Sequence, residues 1–207
     1  MIVVLDRQHS GKPHNIEDLG AWGDLDHDGK ASIRESEAVF TGLYLWHAEI
    51  RLREHGHTVY PISHGRYRER HKSSNEVGAD VYVAAHLNSL TGGSRTRSGQ
   101  GADYGAVFYD YRSRPGRGAE LAACIGEQLS AIPVLGSRVR IWPAKPTDWT
   151  SRAYSTISGT RAVAICYEPA FLDYRPHQEA FMNPEGIALL GIALADGIHK
   201  YSQRGTV

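Results

Sequence analysis

The sequence predicts a single α/β domain over residues 1–207, with a central, mostly parallel sheet flanked by helices. Short apolar runs rich in β-branched residues, the kind that form buried parallel strands, alternate with helical stretches along the whole chain. Three of these runs end on residues that can carry chemistry. No linker, internal repeat or low-complexity tract divides the chain, and its 207 residues suffice to bury one sizeable core.

Strands are expected at 2–5, 57–62, 80–86, 104–109 and 162–168, and helices near 36–55, 66–77, 116–131 and 184–201. In the last helix Ile187, Leu190, Leu194 and Ile198 share one face, and Pro184 stands near its start, where proline is tolerated. Two stretches read as irregular, 89–103 and 133–156, and loops of that length usually shape or cover a site. Trp142, Trp149 and Tyr154 in the second could stack on a sugar or peptide, or simply anchor the loop.

A hydrophobic content of 41%, a charged content of 22% and a net charge of zero describe an ordinary globular chain without the basic excess of a nucleic-acid binder. No apolar run approaches the ~20 residues of a membrane span. Neither nucleic acid nor membrane is therefore expected as a partner, and a monomer is expected. The first strand begins at Ile2, leaving no room for a cleavable leader, so the chain is expected to be made in the cytoplasm without a signal peptide. Cys124 and Cys166, in an expected helix and an expected buried strand, read as free thiols. Arg112, Arg114 and Arg117 read as a solvated basic patch, and His47, His55, His57, His64 and His71 as structural.

The first strand ends at His9, the third at His86, and the run Ala162-Val163-Ala164-Ile165-Cys166-Tyr167 ends on Glu168. Carboxyl ends of parallel strands are where α/β proteins place their sites, and two imidazoles arriving together suggest a metal, as in a zinc hydrolase. Residues 24–35 match a twelve-residue EF-hand calcium loop inserted between the first strand and the first long helix. Asp24, Asp26 and Asp28 stand at positions one, three and five, Gly29 at the turn, the Lys30 carbonyl at seven, Ser32 at nine and Glu35 at twelve. The other reading of this segment is a solvated acidic turn that starts a helix. Glu35 and Glu37 project in nearly opposite directions from the start of that helix, so one can serve calcium while the other joins His9 and His86 as a third zinc ligand.

With these residues placed, the chain resembles the type 3 family of zinc-dependent N-acetylmuramoyl-L-alanine amidases, which cut peptidoglycan. The family opens with Asp-x-Gly-His-Gly-Gly, and here Asp6-Arg7-Gln8-His9-Ser10-Gly11 keeps the aspartate, the histidine and the final glycine. Arg70, Asn75, Ala79-Asp80 and His86-Leu87-Asn88 reproduce a further family spacing without a gap. The family's Glu-x-Gly-Phe-x-Ser-Asn appears as Glu168-Pro169-Ala170-Phe171-Leu172-Asp173-Tyr174, which keeps the glutamate and phenylalanine only. The distance back from Gly56 aligns the family's zinc glutamate with Glu37 rather than Glu35.

The resemblance implies zinc on His9, Glu37 and His86, Glu168 as general base, and cleavage of the amide between the lactyl group of N-acetylmuramic acid and L-alanine. Asp6 could orient a ligand imidazole or serve only to pack the strand end. A leaderless catalytic domain of this kind resembles phage endolysins, which reach the wall when the host membrane is breached; a spore or developmental lysin would look the same. Two other functions stay open, a zinc peptidase or carboxypeptidase acting within the peptide stem and a non-catalytic, calcium-stabilised wall-binding domain.

Overall fold

The structure is a computed structural model and describes residues 1–9, 18–26, 28, 32–90, 101–113 and 116–205. Six strands form one sheet: β1 Ile2–Arg7, β2 Thr58–Ile62, β3 Val81–Ala85, β4 Gly105–Asp110, β5 Val139–Ala144 and β6 Val163–Glu168. Their spatial order is β2-β1-β3-β6-β4-β5. Strands β2, β1, β3 and β6 run parallel, β4 lies antiparallel against β6, and β5 runs parallel to β4. The expected mostly parallel sheet is therefore present. Because β1, β3 and β6 are neighbours with one direction, the residues that follow or close them, His9, His86 and Glu168, arrive at one edge of the sheet.

The helices are α1 Glu37–Glu54, α2 Tyr67–Glu76, α3 Arg117–Ser130, α4 Ser151–Ile157, α5 Arg175–Phe181 and α6 Pro184–Ser202. The period of two along each strand sends alternate side chains to opposite faces. Val3, Leu5, Val83 and Ile165 enter a large core with Tyr44 and Leu52 of α1, Leu121 and Ile125 of α3, and Leu190 and Leu194 of α6. Val4, Tyr82, Ala84, Phe108 and Cys166 enter a smaller one with Ala153 and Ile157 of α4. Each fully buried Leu or Ile contributes about 1.5–3 kcal/mol, so these two apolar layers hold the helices to the sheet.

Helix α6 follows the sequence closely. The Asn183 side chain caps it by accepting the Gly186 amide at 2.9 Å, Pro184 occupies its first turn, and Ile187, Leu190, Leu194 and Ile198 are buried. A Cβ at Gly191 would run into the Tyr44 carbonyl, so glycine is what lets α6 and α1 approach at this distance. Among the described residues no single helix is long and apolar enough to cross a membrane. Both cysteines are free and buried.

Helix α2 has no apolar stripe: its sequence is YRERHKSSNE. Buried polar bonds hold it instead. Arg70, fully buried, donates to the Asp6 carboxylate, to the Gly65 carbonyl at 2.7 Å and to the Arg7 carbonyl at 2.7 Å. The Asp6 carboxylate also accepts from Tyr82 Oη and Gln8 Nε2. His71 Nε2 reaches the Thr156 carbonyl at 2.7 Å, and Asn75 Oδ1 accepts the Arg161 amide at 2.7 Å.

The expectation of an irregular stretch over 133–156 is corrected here. It contains β5 and the start of α4, with Trp142 inside the strand. β5 is the edge of the sheet, partly exposed and carrying Pro143, which suits only an edge. Of the other stretch, 89–103, residues 91–100 lie outside the described residues.

The Asp6–Arg70 pair generates a prediction. Arg70→Ala removes the cation paired with the Asp6 carboxylate and the donor to the Gly65 and Arg7 carbonyls, and should cost about 3–5 kcal/mol in urea unfolding. The double variant Asp6→Leu/Arg70→Met should not recover that loss, because Tyr82, Gln8 and the two carbonyls then lose their partners.

Candidate metal centre and active site

The site forms where β1 and β3 end and α1 begins. His9 has a φ of 54°, and it is the one non-glycine residue with positive φ among the described residues. That conformation is uncommon outside glycine but is tolerated by histidine, and it marks a backbone held by its surroundings. The His9 Nδ1 lies 3.0 Å from Asp18 Oδ1, and its Nε2 lies 3.6 Å from Glu37 Oε1. With Nδ1–H donated to Asp18, the Nε2 lone pair faces the cluster.

Glu37 is the first residue of α1 and is only 3% exposed. Its Oε2 accepts the Ala21 amide at 2.8 Å, and its Oε1 accepts the Leu87 amide at 3.0 Å and stands 2.9 Å from His86 Nδ1. Gly20, at φ 74°, closes over the carboxylate, where any Cβ would collide with it. The His86 carbonyl is fixed by the Tyr44 hydroxyl at 2.9 Å. One donor atom each from His9, Glu37 and His86 lies within 4.8 Å of the others.

This donor set fits a divalent metal. Two imidazoles and a carboxylate are a common three-ligand set for catalytic zinc. The His86 ring also fits one: Nδ1 meets Glu37, and among the described residues the buried Nε2 has no hydrogen-bond partner. A cation shared with Glu37 and His9 would be held by the His86 Nδ1 that already faces the carboxylate.

The charges are coupled. Burial alone would raise the Glu37 carboxyl, but the charge of His9 and the bond and charge of His86 outweigh it and hold it below its ordinary value. Burial alone would lower the His86 ring, yet the hydrogen bond and charge of Glu37 raise it. Glu168, half-buried at the end of β6, is raised by burial; His86 opposes the rise and Glu37 adds to it. All four residues line a cleft of about 510 Å³. Tyr67 of α2 and Arg152, Ser155 and Thr156 of α4 line it too.

The expectation that Asp6 might orient an imidazole is corrected: Asp6 is bound to Arg70, Tyr82 and Gln8, and the carboxylate beside His9 is Asp18. No sequence pattern flags Asp18. In the acidic loop, Asp24, Asp26 and Asp28 offer oxygens within 4.8 Å of one another. Lys30 lies outside the described residues. Glu35, 5% exposed, faces the loop's own backbone, its oxygens accepting from the Leu25 amide at 2.7 Å and from the Ser32 amide and hydroxyl at 2.9 and 2.6 Å.

Among residues outside the site, Arg112 is bound to Asp110 and Arg117 to the Tyr201 hydroxyl, while Arg114 lies outside the described residues. Trp142 packs between Phe108, Tyr104 and Trp149. His55 and His57 gather with His199, and His55 stacks on His199 at 3.9 Å.

No protein-family model matches the chain, and no curated protein matches it. Solved structures share its fold. Cwp6 from Clostridium difficile superposes with a TM-score of 0.75 at 19% identity over 96% of this chain, which spans 29% of that protein. The N-acetylmuramoyl-L-alanine amidase AmiC2 of Nostoc punctiforme superposes with a TM-score of 0.73 at 20% identity over 99% of this chain and 98% of its own. A metallo-carboxypeptidase from Burkholderia cenocepacia matches more loosely, with a TM-score of 0.54 at 12% identity over 99% of this chain and 57% of its own. At these identities the likeness is one of fold.

The Asp18–His9 bond yields a prediction about the metal. Asp18→Ala removes the partner that sets the His9 tautomer and should weaken zinc affinity by about 10–100-fold in a competition titration with a chromophoric chelator.

Proposed function

We propose that the chain is a zinc-dependent N-acetylmuramoyl-L-alanine amidase, cleaving the amide between the lactyl group of N-acetylmuramic acid and L-alanine in peptidoglycan. The observation that carries this reading is the convergence of His9, Glu37 and His86 beside Glu168 at one sheet edge, in a fold shared over nearly its whole length with an amidase. His9, Glu37 and His86 would hold the zinc, which when bound acidifies a water and polarises the scissile carbonyl.

The chain's own groups account for the rest. Asp18 holds the His9 ring, and the Ala21 and Leu87 amides hold the Glu37 carboxylate, so neither ligand has to reorganise during the reaction. Glu168 takes the proton from the attacking water and returns it to the departing nitrogen of L-alanine. Its burial suits that exchange, because a carboxyl raised above its ordinary value holds the transferred proton more readily.

The same reading assigns calcium to residues 24–35, with Asp24, Asp26 and Asp28 as side-chain ligands and Ser32 and Glu35 closing the loop. The loop adjoins the zinc ligand through a short backbone ladder: Gly23 N donates to Glu35 O at 2.9 Å and Glu37 N to Ala21 O at 2.8 Å. The second reading, a zinc carboxypeptidase on the peptide stem, draws on the looser carboxypeptidase match.

Digestion of purified peptidoglycan separates these readings. An amidase releases a free lactyl carboxylate together with a new L-alanine amino terminus, whereas a stem peptidase leaves the lactyl amide intact and a wall-binding domain releases neither. Glu168→Gln should lower the amidase rate by about 10²–10⁴-fold with zinc content unchanged. A calcium-selective chelator should lower both the melting temperature and the zinc affinity; unchanged melting would remove calcium from the account.

A further inference from the structure

The cleft is lined by Asp18, Glu37 and Glu168 together with Tyr67 of α2 and Arg152, Ser155 and Thr156 of α4. Apart from the two imidazoles, Tyr67 and Cys166, the ionisable side chains that line the cleft among the described residues are these three acids and one cation, Arg152.

Arg152 stands in the first turn of α4 and is exposed. Among the described residues its guanidinium makes no hydrogen bond and no ion pair; its carbonyl accepts from the Ser155 hydroxyl at 2.7 Å. Three other arginines nearby are committed, Arg70 to Asp6, Arg112 to Asp110 and Arg161 to the Asn75 carbonyl. The backbone that carries Arg152 is anchored. Ala153 and Ile157 are buried in the core, and the Thr156 carbonyl accepts from His71 at 2.7 Å. A guanidinium on an anchored helix, lining a cleft with three acids and holding nothing among the described residues, is placed to bind an anion that enters the cleft.

Resting on the amidase reading, we propose that Arg152 is the specificity-determining residue of the cleft, forming a fork with a free carboxylate on the peptide side of the scissile amide. The three acids that line the same cleft repel that carboxylate, so attraction and repulsion together set which way the peptide lies. In a peptidoglycan stem the group at issue is the α-carboxylate of the D-glutamate that follows L-alanine. When it is amidated to D-isoglutamine, the charge and one of the two acceptor oxygens are lost. The substrate class is therefore an acidic stem in preference to an amidated one.

The test compares soluble muropeptides carrying D-glutamate with the same muropeptides carrying D-isoglutamine, using zinc-loaded protein. Wild type should favour the acidic form by about 10–100-fold in kcat/KM, mostly through KM. Arg152→Ala should bring the ratio close to one, with zinc content and melting temperature as in wild type, and Arg152→Lys should keep an intermediate preference. A wild-type ratio near one, or a ratio that Arg152→Ala leaves intact, overturns the proposal. If zinc-loaded wild type cleaves neither form, the amidase reading fails, and equilibrium binding of the same two muropeptides decides on Arg152. Tighter binding of the acidic form that Arg152→Ala abolishes supports the anion site, and equal binding rejects it.

Discussion

The carboxylate of Glu37 is the constraint around which the site is built. A charge this deeply buried needs donors or a cation close by. It takes them from elements far apart in the chain: the Ala21 amide, the Leu87 amide beyond β3, and the imidazoles of His9 and His86. Satisfying one side chain therefore fixes how residues 18–23 cross the start of α1, where β3 stops and which way the strand-end histidines turn. Its place at the amino terminus of α1 adds the favourable end of the helix dipole. The same crowding explains why Gly20 must be glycine, since the space a Cβ would need is already filled by the carboxylate.

Much of this was legible in the sequence, and the parts that were not share a cause. Strands β1, β3 and β6 are buried on both faces, so they read as unbroken apolar runs and placed His9, His86 and Glu168 correctly at their ends. β5 did not read as a strand because it lies at the sheet edge, where Arg140 and Ile141 face outward and Pro143 is tolerated. α4 and α5 are seven residues each, too short for a helical period to stand out. Asp18 and Arg152 were missed for another reason. Each acts by meeting a side chain or a cleft assembled from remote segments, and nothing in its immediate neighbours marks it.

The motif residues teach a related lesson. Arg70, Asn75 and Asp80 belong to the most specific stretch of the family resemblance, yet none of them lines the cleft. Arg70 locks the end of β1 to α2, Asn75 ties α2 to the residues before β6, and Asp80 accepts the Ile2 amide at 2.7 Å ahead of β3. Asp80 joins the start of β1 to the start of β3, and Arg70 and Asn75 are the fastenings of a helix that has no apolar face of its own. In such a helix sequence specificity records polar geometry, because a buried bond demands one partner where an apolar contact accepts many.

The acidic loop fits into this order through its backbone rather than its side chains. Residues 19–23 run antiparallel to 35–38, joined by the Gly23–Glu35, Ala21–Glu37 and Leu19–Ala38 bonds and by the Trp22–Ser36 bridge. One end of that ladder carries Asp24 and Glu35, and the other carries the amide that holds Glu37. The loop is coupled to Glu37 both through the Gly23 and Ala21 backbone and through the Glu35-Ser36-Glu37 segment itself. The two carboxylates of the Glu35-Ser36-Glu37 segment thus serve opposite sides of one short ladder, Glu35 closing the loop and Glu37 closing the site.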